Sequence, residues 1–207
     1  MDNLINQIKS IQKTGIKDKI DCRLKDFNNI NKNSSEELFK EMCFCILTAN
    51  YNAEKSIIIQ DSINDDFFKL TEEELANRLV YHGHRFPNTR AKYIHESVKY
   101  IDIIKNVVNS SDGERLREWF VKNIKGLGYK EASHFLRNIG FADYAIVDFH
   151  IVDILVRAKI IDKPKTISKS TYLEIENKLK KIANKLDMSL SELDLYLWYI
   201  ETGKILK

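Results

Sequence analysis

The sequence predicts an all-α protein of two helical lobes, and three observations carry that expectation. Its 207 residues include only seven Gly and two Pro, too few turn-formers for the many tight hairpins of a β-sandwich or barrel. Apolar residues recur at helical spacing through most of a chain that is 43% hydrophobic and 30% charged. The periodic segments are numerous and short, which suits two compact lobes sharing one chain.

In chain order, helices are expected at about 3–13 and 17–29. Ser34 or Ser35 is placed to cap a helix through Leu38, Met42, Cys45 and Ile46, with Glu36 and Glu37 in the first turn where the helix dipole favours acids. Helices at about 53–60 and 71–80 follow. Beyond the break at Pro87, Ile94, Val98, Ile101, Ile104 and Val108 fall on one face of an amphipathic run. Further helices are expected at about 113–123, 130–138, 149–160, 170–186 and 190–200, the last opening with the capping box Ser189-Leu190-Ser191-Glu192. Asp143 to Val147 resembles a strand in composition but, lying between helices, reads as extended loop.

Composition narrows the function. Met1 to Lys19 lacks the unbroken apolar core of a signal peptide, and no apolar run approaches the roughly 18 residues of a membrane helix, so an intracellular protein without a membrane is expected. Cys22, Cys43 and Cys45 are too few for a disulfide scaffold or a four-cysteine iron–sulfur cluster. His82, His84, His95, His134 and His150 lack a ligand spacing, so they read as surface or packing residues and no catalytic metal is expected. The net charge of +3 names no partner, but Arg78 to Lys92 holds four bases and no acid, a local surface that can meet phosphate.

The chemistry concentrates in Ile124 to Ile151, IKGLGYKEASHFLRNIGFADYAIVDFHI. Gly126-Leu127-Gly128 between two helices permits a tight hairpin whose N–H groups are uncovered by side chains, and these donors with the next helix's N-terminus form a phosphate seat. Lys130 stands in the first turn of that helix, where the dipole disfavours a cation; an amine so placed can serve as a nucleophile. Asp148 occupies an N-cap position, accepting helix N–H bonds while facing whatever lies above the helix end. Each alone also fits a plainer role, as a surface lysine or a capping aspartate. Together with the hairpin they point to chemistry.

Gly126-Leu127-Gly128-Tyr129-Lys130 followed by Val147-Asp148 resembles the helix-hairpin-helix DNA glycosylase superfamily, with the lysine of its bifunctional glycosylase/AP-lyase branch. Leu47-Thr48-Ala49-Asn50 resembles the loop that inserts a polar side chain into the duplex, and Arg85-Phe86 with Asn88 through Ile94 a second DNA-facing loop. The ending WYIETGKILK, Trp198 to Lys207, is similar to that of the second, minimal class of 8-oxoguanine DNA glycosylases. The chain departs from the superfamily in carrying Lys125 where Pro often precedes the hairpin, and Gly140 without a Pro in the loop before Asp148.

The resemblance implies a central lobe at about 32–142, ending in a helix-hairpin-helix at about 113–138, and a second lobe of 1–31 with 143–207. It implies base-excision repair: Lys130 attacks C1′ of the damaged nucleotide, Asp148 stabilises the oxocarbenium charge, and β-elimination nicks the strand. Gly126 and Gly128 would anchor a phosphate, with a structural monovalent cation at the hairpin and no required cofactor. Asn50 would fill the gap and Arg90 would touch the orphaned base or nearby backbone. Phe86 and Trp198 would sandwich the flipped base, and the terminal carboxylate of Lys207 would accept the N7–H that distinguishes 8-oxoguanine from guanine. The partner implied is double-stranded DNA containing 8-oxoguanine, bound by a monomer in the cytoplasm at the nucleoid. The alternatives are a related glycosylase with another lesion preference, a noncatalytic helix-hairpin-helix DNA-binding module, and a helical interaction protein.

Overall fold

The computed structural model describes residues 1–110 and 113–207, and among these no β-strand occurs. Twelve α-helices follow one another: α1 Asp2–Ile11, α2 Ile16–Asn29, α3 Ser35–Thr48, α4 Ala53–Ile63, α5 Glu72–Tyr81, α6 Pro87–Ser97, α7 Ile101–Ser110, α8 Gly113–Asn123, α9 Tyr129–Asn138, α10 Phe149–Arg157, α11 Lys169–Lys185 and α12 Leu190–Thr202. The chain divides into a central unit, Ile30–Phe135, and a terminal unit, Met1–Asn29 with Leu136–Lys207. The boundaries expected from the sequence stood at 31/32 and 142/143.

In the central unit, Ser34 caps α3 by accepting from Glu37 N. Its expected face of Leu38, Met42, Cys45 and Ile46 is buried, but so are Phe39, Glu41, Cys43, Phe44, Leu47 and Thr48. A helix enclosed on all sides needs no polar stripe, and α4, α6 and α7 pack around it. Thr71 and Glu74 close a capping box at the start of α5. The amphipathic run after Pro87 is two helices, not one: a 3₁₀ turn at Val98–Tyr100 separates α6 from α7. That turn leaves Val98 and Ile101 half-buried while Ile94, Ile104 and Val108 remain in the core. Asn88 to Ile94, expected to lie in a loop, are helical, because Pro87 sits in the first turn with its backbone angle already set.

Helices α8 and α9 of the hairpin are tied by a buried cation. The Arg117 guanidinium lies 5.1 Å from the Tyr129 ring and donates to Ser133 Oγ at 3.3 Å. The Tyr129 hydroxyl donates to Glu118 at 2.9 Å, and Phe120 meets Phe135 edge to face at 4.8 Å.

The terminal unit is built on α12, whose Leu190, Leu193, Leu195, Tyr196 and Leu197 are buried against α1, α2, α10 and α11. Gly140 adopts φ +89° and approaches α2 so closely that a Cβ would lie 2.9 Å from Asn28 Oδ1 and 3.1 Å from Phe27 O. Arg137 stacks on the Phe27 ring and pairs with Asp194 at 3.1 Å. The extended segment before α10 makes no ladder. Tyr172 of α11 donates to Ala145 O at 2.6 Å and accepts from Val147 N at 3.2 Å, while Glu176 accepts from Ala145 N at 3.0 Å. Side chains thus take the place of a partner strand. The α10 helix stops at Arg157, short of the expected 160, where Lys159 turns left-handed at φ +55°.

Tyr172→Phe keeps the ring and removes the hydroxyl that satisfies two buried backbone groups. It is expected to cost about 1–3 kcal/mol in urea unfolding; an unchanged midpoint would show that the hydroxyl does not hold this segment. Burial pushes the Asp194 carboxyl from 3.8 up to about 6, with Arg137 opposing and Asp148 reinforcing the shift. A raised folded-state value stabilises fully below the unfolded value and less as pH climbs through 6. Asp194→Asn, which cannot ionise, is therefore expected to lose less thermal stability than the unsubstituted chain between pH 4 and 7.

Candidate DNA-repair site

Nine side chains or backbone positions were expected to form the site, and they distribute over the two units. Asn50, Phe86, Arg90, Gly126, Gly128 and Lys130 belong to the central unit, and Asp148, Trp198 and Lys207 to the terminal unit.

In the central unit, α3 ends at Thr48, and exposed Asn50 follows in the left-handed region at φ +56°, a conformation asparagine tolerates better than most residues. Phe86 is the N-cap residue of α6 and Arg90 lies one turn on, almost fully buried. The Arg90 Nη2 donates to Ala49 O at 2.5 Å, and its guanidinium lies 5.6 Å from the Phe86 ring and 5.9 Å from that of Tyr93. Tyr93 in turn lies against the hairpin. Gly126 adopts φ +90°, and a Cβ there would meet Tyr93 Cδ2 at 2.7 Å. A contiguous path of α6 side chains therefore joins Asn50's loop to the Gly126 turn. Lys125 adds a surface pair with Glu96 of α6 at 2.8 Å.

The hairpin differs from expectation in one respect. The Gly128 N–H is not uncovered: Glu131 Oε2 accepts from it at 3.3 Å, while the other oxygen of the same carboxylate lies 3.2 Å from Lys130 Nζ. Lys130 does stand in the first turn of α9, half-buried, with this acid at its side. The carboxylate satisfies an orphan amide of a helix start.

In the terminal unit, Asp148 caps α10, its Oδ1 accepting from Ile151 N at 2.9 Å. Two residues on, His150 stacks on Phe149 at 4.0 Å and meets the Trp198 ring edge to face at 5.2 Å. Trp198 is thus one aromatic ring removed from the segment that carries Asp148. Glu201, one turn beyond Trp198, pairs with Arg157 and lies 4.0 Å from His150 Nδ1. The helix ends at Gly203 with φ +70°, turning the chain toward half-buried Lys207.

Sequence reasoning missed Glu131, Tyr93, Tyr51 and His84 as parts of this framework. For Glu131 a signal existed, since an acid three residues after Gly128 can reach back to its amide. For the other three, a partner lies more than thirty residues away in the chain, Gly126 for Tyr93, Gly83 O for the Tyr51 hydroxyl and Leu47 O for His84 Nε2, and no local pattern announces it. Among the described residues, no cluster of three or more His, Cys, Asp or Glu side chains could hold a metal ion, and no helix is long and apolar enough to cross a membrane.

Residues 20–188 match the family model described as 8-oxoguanine DNA glycosylase. The chain is 49% identical, over all of its own length and 99% of the relative's, to a Korarchaeum cryptofilum protein named 8-oxoguanine DNA glycosylase/AP lyase. It is 50% identical to the protein of the same name from Methanocaldococcus jannaschii, covering 99% of both chains. A crystal structure of the M. jannaschii 8-oxoguanine glycosylase/lyase in complex with a 15mer DNA containing 8-oxoguanine is similar, with a TM-score of 0.95 over 99% of both chains and 50% identity. The Thermotoga maritima 8-oxoguanine DNA glycosylase superposes with a TM-score of 0.94 at 40% identity, over 100% of this chain and 99% of that one.

The two hairpin glycines are not equivalent. Gly126→Ala forces a left-handed alanine, costing about 1–2 kcal/mol, and drives a methyl into Tyr93, adding about 1–3 kcal/mol. Gly128→Ala meets only the Glu131 carboxylate at 3.2 Å, the end of a flexible side chain. Chemical denaturation is expected to show a large loss for the first and a small one for the second; equal losses would show that the Gly126 geometry is not decisive.

Proposed function

The chain belongs to the 8-oxoguanine DNA glycosylase family, and on that premise we propose how its residues carry out the excision of 8-oxoguanine from double-stranded DNA and the nicking of the strand. It acts in base-excision repair as a bifunctional DNA N-glycosylase and AP lyase. The reading of its residues rests above all on Lys130, an amine in the first turn of the helix that follows the Gly126–Gly128 turn.

A base inside a duplex must leave the stack before chemistry can reach its sugar, at a cost of a few kcal/mol. The hairpin amides at Gly126 and Gly128 anchor a phosphate near the lesion; at Gly128 the phosphate displaces the Glu131 carboxylate, since the two anions compete for one N–H. A structural monovalent cation held by carbonyls of the hairpin turn would add positive potential for the phosphate; no cofactor takes part in the reaction. Asn50 fills the vacated space, offering both an amide donor and an acceptor to the orphaned base. Arg90 backs Asn50 through Ala49 and addresses the DNA with its remaining donors.

The flipped base stacks on Phe86 and Trp198, each contact worth about 1–3 kcal/mol. The main-chain carboxylate of Lys207 accepts the N7–H of 8-oxoguanine; guanine presents an acceptor at the same place and is rejected by repulsion and a lost bond. Lys130 Nζ then bonds to C1′ as the bond to the base breaks, and Asp148 stabilises the positive charge that develops on the sugar. Ring opening gives a Schiff base, which acidifies the C2′ proton. Loss of that proton breaks the C3′–O bond, releases the 3′-side phosphate and nicks the strand, and water frees the lysine. The protein acts as a monomer in the cytoplasm at the nucleoid; its three free thiols fit a reducing compartment.

Incubation with borohydride and a duplex bearing one 8-oxoguanine is expected to trap a covalent adduct, absent on unmodified and uracil duplexes and lost in Lys130→Gln while DNA binding persists. Asp148→Asn retains a residue that caps helices well and should fold normally yet excise about a hundredfold more slowly. Adduct formation by Lys130→Gln would remove the nucleophile assignment. Binding of the duplexes without any adduct, in folded wild-type protein, would overturn the lyase reading and leave a DNA-binding module.

A further inference from the structure

Of the expected Leu47–Asn50 loop, Leu47 and Thr48 are the last turn of α3 and only Ala49 and Asn50 lie beyond it; this helix end and the Phe86 segment are separated by more than thirty residues yet are laced together in the central unit. His84 is almost fully buried. Its Nδ1 accepts from Phe86 N at 3.1 Å, and its Nε2 lies 3.0 Å from Leu47 O. A backbone N–H can only donate and a carbonyl can only accept, so both contacts require the neutral ring with its proton on Nε2. Tyr51 covers the ring at 4.1 Å and donates its hydroxyl to Gly83 O at 3.0 Å. Arg90, one turn beyond Phe86, binds Ala49 O. The last carbonyls of a helix lack partners within it; here those around the end of α3 are held by side chains that flank Phe86. Burial lowers the His84 pKa, the bond to Leu47 O opposes this, and the Arg90 charge adds to the lowering, so the ring resists the proton that would break the Phe86 contact.

We infer that His84 is a positioning residue for base excision, a fixed-tautomer cross-link that places Phe86 and Asn50 relative to each other so that gripping the extruded base and filling its gap occur as one event. The inference rests on the roles proposed for Phe86 and Asn50. His84 touches no reacting atom, and its removal should harm steps that need the extruded base far more than the Lys130 chemistry itself.

The test compares single-turnover excision from an 8-oxoguanine duplex with borohydride trapping at a preformed abasic site, where no base remains to be gripped. Full-length wild type, His84→Leu, His84→Asn, Phe86→Ala and the His84→Leu/Phe86→Ala double variant are measured. His84→Leu forfeits one buried and one part-buried hydrogen bond and is expected to slow excision about tenfold or more while changing abasic-site trapping less than about threefold. Asn can still accept from the N–H two residues on, as in an Asx turn, but cannot reach Leu47 O, so His84→Asn should fall between the two. The double variant should be no slower than the slower single variant, because both remove one unit. Equal losses on the two substrates, or additive losses in the double variant, would overturn the inference. Normal excision by His84→Leu beside slow excision by Phe86→Ala would overturn it and leave the Phe86 reading standing. Normal excision by Phe86→Ala would overturn that reading and this inference with it. If His84→Leu fails to fold, the substrate split in His84→Asn decides.

Discussion

A chain made of helices and short connections must satisfy the N–H and C=O groups left over at every helix end, and this constraint organises the protein. Most residues assigned to function sit at or beyond those ends: Asn50 after α3, Phe86 before α6, Lys130 in the first turn of α9, Asp148 as the cap of α10 and Lys207 beyond α12. Helix ends are where backbone groups remain available to a ligand and where the dipole is felt. They are also where side chains from elsewhere can dock and complete the backbone's hydrogen bonding, as Arg90 does at Ala49 O and Glu131 at Gly128 N.

The partners differ with what each position must do. Asp148 needs a fixed direction, and the extended segment leading to it is pinned by Tyr172 and Glu176 instead of by another strand. Lys130 is flanked by Glu131, whose carboxylate spans the Gly128 amide and the lysine, so that amide already holds an anionic group. Beside Asp148, the mostly buried Asp194 lies paired with Arg137. Burial and the Asp148 charge both raise its carboxyl pKa, so Asp148 has a second acid near it and one guanidinium to balance the pair.

The hairpin shows how a motif of five residues depends on packing that the motif does not contain. Gly126 turns left-handed with Tyr93 filling the place of its missing Cβ, and Arg117 clamps α8 to α9 through Tyr129 and Ser133. The turn is therefore set from two directions: by glycine's freedom of φ and by an aromatic ring from α6 that leaves no other residue room.

By itself the sequence determined the helical class, nearly all helix positions, a serine start for α3 and for α12, the glycine hairpin with Lys130 in the next first turn, and Asp148 as a cap, because each of these depends on residues within about four positions of one another. It did not reveal that α3 is enclosed on every side, that α6 and α7 are separate, or that Asn88 to Ile94 are helical. Nor did it reveal the carbonyl partners of His84 and Arg90, which lie 37 and 41 residues away. A periodicity reports one face of a helix and says nothing of which neighbours meet the others. Those pairings are fixed only when apolar faces close on one another and exclude water, since the helix-end groups left inside must then find partners wherever the packed chain happens to supply them.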